Sequence, residues 1–340
     1  MQYSAPMTNT VCRIGDEGCQ ATIWTLGAAL NDVRVPDRAG RIESVVLGYG
    51  DATERRAGRA FLGEVVGPFA NRVAGGRFAL DGVIVSLERN EGVNTLHSGT
   101  NGLHRQEWGV LDQGPAHVRL GLTWPDGQGG FPGPITIEVS YRVEGSSLWH
   151  EVVASTERPT VVSIVSHPYF NLSGRLTPIH DHELTVAASR YLPVSETGIP
   201  LPEAPVPVTG PFDLRHGAPL DRVLASDHPQ IARCGGLDHA FVLDGAGAGG
   251  LTPACVLTHP ASGRQLTIET DFPAFQVYSG QGLGDDRVAH PSGELGPFSG
   301  LALETEEFPD APNRPDFPSV ILRPGEICRR TTRWSFGVVG

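Results

Sequence analysis

Glycine and proline recur so often in this chain that no long regular element can run unbroken: 43 Gly and 28 Pro are spread through 340 residues. Between them lie short runs rich in Val, Ile, Thr and aromatic residues, the pattern of strands joined by turns. The clearest runs are 21–26, 44–47, 83–87, 118–124, 135–143, 148–154, 161–166, 240–243, 265–269, 275–278 and 301–304. Several alternate apolar with polar residues, as strands buried on one face do. Helical spacing is confined to 51–58 and 219–225, so the long crossover helices of a parallel, doubly wound sheet are missing. No repeat at a fixed period supports a solenoid or a propeller. The expectation is an all-β protein, a large antiparallel β-sandwich with few short helices, forming one domain over residues 1–340.

Composition narrows the function. Apolar residues make up 39% and charged residues 19%, enough for a core and too little charge for a disordered chain. A formal charge of −12 repels nucleic acid and anionic membrane surfaces, which favours a small neutral ligand. The five cysteines, Cys12, Cys19, Cys234, Cys255 and Cys328, are odd in number and contain no CxxC pair, so they read as ordinary thiols. The N-terminus, beginning Met1, Gln2, Tyr3, has no basic region followed by an apolar stretch, and no run is long enough to span a bilayer. The expected location is the cytoplasm, and the expected form a monomer or a homodimer.

Two motif matches fail on context. Gly245, Gly247 and Gly250 satisfy G-x-G-x-x-G after the run 240–243, but Leu251 to Leu257 is strand-like and offers no helix N-terminus to a pyrophosphate; a hairpin loop is the better reading. His180 and His182 flank Asp181 in a pattern that sets two imidazoles on one strand face. No third ligand stands at a recognised spacing, so the expectation is a polar loop and no metal. H-E-x-x-H, G-x-S-x-G and P-loop motifs are absent from the sequence.

Three segments concentrate chemistry at strand ends. Asn94, Thr95, Leu96, His97, Ser98 and Gly99 make a short turn that presents an imidazole beside open backbone. In Ser166, His167, Pro168, Tyr169, Phe170 and Asn171, the proline holds His167 extended and ends the strand there, beside two aromatic rings. In the third, a strand continuing through Glu304 places Ala302, Glu304 and Glu306 on one face, so two carboxylates are neighbours and raise each other's proton affinity. With free values of about 4.3 and 6.5, a carboxylate and an imidazole facing each other hold opposite protonation states near neutral pH, as concerted proton removal and delivery requires.

These segments stand in an order that resembles the galactose mutarotase, or aldose 1-epimerase, family. The blocks are Gly67, Pro68, Phe69, Ala70, Asn71, Arg72; the His97 turn followed by Gly102 and Trp108; His167, Pro168, Tyr169, Phe170, Asn171, Leu172; Gly236, Leu237, Asp238, His239; and Glu304, Thr305, Glu306 with Phe308, Pro309, Asp310 and Ala311. The likeness covers roughly residues 60 to 330. It implies a galactose mutarotase-like supersandwich with an open sugar cleft, using neither metal nor organic cofactor and converting a free aldose such as galactose or glucose between its anomers. By motif position it makes Glu304 the base at the anomeric hydroxyl and His167 the acid at the ring oxygen. Asn71, Arg72, His97 and Asp238 would orient the sugar, with Tyr278 beside them. Ser98, Ser166, Pro168 and Glu306 depart from the family pattern, and of these Ser98, Pro168 and Glu306 bear on which sugar is preferred. Two other readings fit the same residues. One is a glycoside hydrolase using Glu304 and Asp238, and the other a sugar-binding module without turnover.

Overall fold

The structure is a computed structural model and describes residues 10–284, 289–290 and 293–340. The N-terminal residues Met1 to Thr8 and Asn9, on which the leader reading rests, lie outside that range. Two antiparallel sheets dominate. The large one has nine strands in the order Gly109–Gly114, His117–Trp124, Ile135–Glu144, Ser147–Thr156, Cys328–Val338, Arg264–Thr270, Thr252–Thr258, Glu183–Val186 and Ala218–Pro219. The other, which carries the functional cleft, has six: Tyr169–Phe170, Leu301–Glu306, Ala274–Tyr278, Asp238–Leu243, Ala188–Tyr191 and Val206–Pro207. A four-stranded sheet from Val11–Gly15 to Ile42–Ser44 completes the N-terminal side.

Alternation in the sequence becomes alternation of burial. Ser147–Thr156 and Arg264–Thr270 each bury every second residue, turning Leu148, Val152 and Ala154, or Leu266 and Ile268, into the core. There they meet Phe241, Phe275, Val277, Leu301 and Leu303 from the six-stranded sheet, with Trp334 and Phe336 between. Leu301–Glu306 is buried on both faces. Leu301, Leu303 and Thr305 look toward the large sheet, where the Thr305 and Thr332 hydroxyls meet at 2.6 Å. Ala302, Glu304 and Glu306 therefore share the opposite face.

Several sequence readings change in detail. The run 161–166 is interrupted: Thr160–Val161 and Val165–Ser166 pair with different partners, and Ser163 bridges Phe69 in parallel. The glycine-rich loop 244–250 is not a hairpin, because Asp238–Leu243 and Thr252–Thr258 lie in different sheets; it is a crossover between them. The helical runs become Ala52–Ala57 and Leu220–Leu224, and a third short helix, Pro229–Cys234, forms where proline at the first turn supplies a helix start.

Candidate active site

The six-stranded sheet sets three strands side by side so that their polar residues fall in adjacent rows. Asp238 stands opposite Tyr278, and Gln276 opposite Glu304. Loops from the N-terminal half close the space above. The result is an open cleft of about 300 Å³, lined by all seven residues expected from the sequence: Asn71, Arg72, His97, His167, Asp238, Tyr278 and Glu304. Phe61, Glu91, Tyr169 and Gln276 line it with them.

His167 is held at both backbone ends. Its N–H donates to Glu64 O at 3.0 Å and its carbonyl accepts from Gly63 N–H at 2.9 Å. Strand pairing stops at Ser166 and resumes in the other sheet at Tyr169, so His167 occupies the switch point that Pro168 creates. Behind it lies a buried anchor. Asp51 caps the helix Ala52–Ala57 by accepting from Thr53 and Glu54 N–H, and that helix delivers Arg55 to Glu64 at 3.1 Å, both side chains excluded from solvent. Arg55 also lies over the rings of Trp24 and Tyr49 at 5.0 and 4.8 Å.

His97 and Asn71 fix each other. Asn71 N–H donates to His97 Nδ1 at 3.1 Å, and His97 N–H returns a bond to Asn71 O at 3.0 Å. Both residues have positive φ, 48° and 59°, strain of the kind that gathers at functional sites. Because Nδ1 accepts, the ring proton sits on Nε2, where it is available to a ligand. Burial, followed by the proximity of His167, His104 and Arg72, holds this imidazole well below its ordinary proton affinity. His97 is thus a neutral donor.

Arg72 grips Glu91 through two bonds, Nε to Oε2 at 2.7 Å and Nη2 to Oε1 at 2.8 Å, and extends Nη1 to Asp238 Oδ2 at 3.4 Å. Asp238 Oδ1 accepts from Gln276 Nε2 at 2.6 Å. The Pro-rich stretch 193–211 reaches this network at Gly198, where φ is 73° and a Cβ would come within 2.6 Å of Arg72 Nε. Only glycine allows that approach.

At the centre, His167 Nε2 lies 3.4 Å from Glu304 Oε1, with the two side chains 5% and 3% exposed. Burial lowers the His167 proton affinity to about 4. Burial, then the carboxylates of Glu306 and Asp238, raises that of Glu304 well above the usual range, with Arg72 opposing. The two shifts run in opposite directions, Glu304 upward and His167 downward. Burial thus strengthens the hold of Glu304 on a proton and weakens that of His167. The aromatic wall is Phe61, set edge-on to His97 at 4.7 Å between ring centroids, with Tyr169 5.0 Å from His167 and Tyr278 6.0 Å from Tyr169.

Gln276 was legible in principle, since it shares a strand face with Tyr278 two positions on. Phe61 and Glu91 carried no sequence signal. The polar reading of 180–182 needs correction in geometry. His180 and Asp181 lie in a 3₁₀ turn rather than on a strand, and the partner that joins them is remote in sequence: Asp181 bonds His182 Nδ1 and His259 Nε2, each at 3.0 Å. This is the cluster among the described residues whose atoms lie close enough together to hold a metal. The remaining ring nitrogens already accept backbone N–H groups, from Leu172 at 2.9 Å and Ser262 at 3.2 Å. His182 therefore carries its proton toward Asp181, and a metal there would require that ring as an imidazolate, while His259 Nδ1 also lies 2.8 Å from Ser262 Oγ. The cluster is a hydrogen-bonded clamp, since ligating histidines use the opposite arrangement.

Sheet order and cleft together define a β-sandwich in which an imidazole and a carboxyl in contact face a polar, aromatic-walled cavity. Residues 10–335 match the family model for aldose 1-epimerase. The chain is 39% identical to galactose mutarotase of Rattus norvegicus over 322 residues, covering 93% of this chain and 90% of that protein. It is 34% identical to aldose 1-epimerase of Escherichia coli over 325 residues, covering 94% and 92%. The solved structure of a GalM/aldose epimerase homologue from C. elegans superposes with a TM-score of 0.89 at 27% identity, over 98% of this chain and 100% of that one. The protein belongs to the aldose 1-epimerase family.

Proposed function

We propose that the protein interconverts the α and β anomers of a free aldose, with Glu304 as base and His167 as acid. The observation that carries this is the 3.4 Å contact between His167 Nε2 and Glu304 Oε1 on the floor of the cleft. The pair holds one proton. Against a ring-form sugar, whose hydroxyls hydrogen-bond both groups, carboxylate and imidazolium become the matched state. Glu304 then takes the O1 proton as His167 delivers its own to the ring oxygen, and the C1–O5 bond breaks. The open-chain aldehyde now faces protonated Glu304 and neutral His167, the very state that burial favours. Rotation about C1–C2 and reclosure reverse both transfers and give the other anomer. Two proton transfers balance without an external reagent.

His97 Nε2–H, Arg72 and Asp238 are the donors and acceptors for the sugar hydroxyls, and Phe61, Tyr169 and Tyr278 offer apolar faces to its C–H surfaces. Asn71 lines the cleft with its amide already engaged, Oδ1 accepting from Arg72 N–H and Nδ2 donating to Glu306, so it also positions the loop. Galactose and glucose are the proposed substrates. A reducing compartment such as the cytoplasm suits five free thiols, of which Cys12, Cys19 and Cys255 are buried.

The test is polarimetry of freshly dissolved α-D-glucose and α-D-galactose with buffer, wild type, Glu304→Gln and His167→Ala. Wild type should far outpace buffer, and each variant should lose about 10²–10⁴-fold. A wild type that only matches buffer on these sugars and on arabinose, xylose and fucose would refute the reading and favour a binding module.

A further inference from the structure

The mechanism leaves one buried carboxylate without a task. Glu306 is fully excluded from solvent on the cleft face of its strand, two positions beyond Glu304. Among the described residues its hydrogen bonds come from Asn71 Nδ2 alone, at 3.2 Å to Oε1 and 3.4 Å to Oε2. Across the sheet it faces Ala274, while Glu304 faces Gln276. The charged groups around it are Glu304 on its own strand, Asp238 on the strand beyond Gln276, and Arg72 from the loop side. Glu307 follows but points away, to Arg330. Glu306 is outside the residues that line the cleft.

The two carboxyls are not equivalent. Burial raises the proton affinity of both well above the usual range, but an N–H from Asn71 pulls Glu306 back toward its ionised form, whereas Glu304 Oε2 is buried without a partner and Oε1 meets only His167. Glu306 therefore ionises first. We propose that Glu306 is a positioning residue for the base: its carboxylate, anchored by Asn71, makes Glu304 a stronger proton acceptor than burial alone would. This rests on Glu304 being the base. Two residues along a strand separate the Cβ atoms by about 6.6 Å, and at an effective dielectric of about 20 a unit charge at that distance moves a neighbour's proton affinity by roughly two pH units.

The experiment is a carboxyl ¹³C NMR titration of the free protein, wild type and Glu306→Gln, alongside the pH dependence of kcat/KM. The variant keeps an acceptor for Asn71 and removes the charge. The Glu304 midpoint is expected to fall by about two pH units, and the alkaline limb of kcat/KM, where the catalytic pair loses its last proton, to fall with it. A purely structural role would lower activity or thermal stability at all pH values with the midpoint unmoved, and that result overturns the proposal. Wild type alone also tests it: coupled carboxyls titrate in two separated steps, and a single step at ordinary affinity for both overturns the idea even if the variant does not fold. A shifted midpoint in a protein without mutarotase activity would sink the catalytic reading and leave the coupling intact.

Discussion

Replacing His150 with phenylalanine should protect the fold against acid without touching the cleft. His150 sits mid-sheet on Ser147–Thr156, 2% exposed, with its ring 4.9 Å from Tyr141 and 5.6 Å from Trp334, and its Nε2 has no partner. Burial lowers its proton affinity from 6.5 to about 3. A depressed value means the stabilisation is complete above 6.5 and is lost as pH falls toward 3, because the unfolded chain takes a proton that the folded one refuses. Between pH 7 and pH 5 the unfolded state gains about 1.5 pH units of binding, worth about 2 kcal/mol. Phenylalanine keeps the ring and removes the titration. Urea unfolding of both proteins at pH 7, 6 and 5 should show the stability difference moving by about 2 kcal/mol in favour of His150→Phe over that range. A difference that stays constant with pH would refute the reasoning. His104 and His239, lowered by burial to about 3 and 4, obey the same rule. Three such residues together cost about 6 kcal/mol at pH 5, comparable with the whole stability of many domains. Loss of any activity in acid should therefore accompany unfolding.

Other outcomes follow from the same geometry. Arg55→Met strands Glu64 in the interior and should cost about 3–5 kcal/mol in urea unfolding at neutral pH; a loss under 1 kcal/mol would mean that solvent reaches the site. Arg72→Lys breaks the two-bond grip on Glu91, so polarimetry should find KM raised roughly tenfold or more, with a smaller change in kcat; equal losses in both would place Arg72 in the transition state instead. Phe241→Ala opens a cavity between the two sheets and should cost about 3–5 kcal/mol, with kcat at low temperature little changed.

How far the sequence reached depended on the range of the physics involved. Strands 135–143, 148–154 and 265–269 were legible because a two-residue period between glycines and prolines is a local signal, and each became a strand with alternate residues buried. His167 was legible for a related reason: proline after histidine ends a ladder whatever lies around it. Contacts between distant segments were not. Nothing near residue 181 announces His259, and nothing near Phe61 announces that its ring will stand against His97 and His104 at 4.7 and 4.9 Å. The opposite shifts of His167 and Glu304 were equally hidden. Residue type gives only the free values; the opposite shifts come from burying both groups, with the carboxylates of Glu306 and Asp238 adding to the rise of Glu304. Those shifts also explain why such a cleft suits ring opening. Burial that favours the proton on Glu304 suits the open-chain side of the proposed reaction, while the hydroxyls of a bound ring would solvate the charges of the other side. Each half of the cycle then begins from a protonation state that its own ligand stabilises.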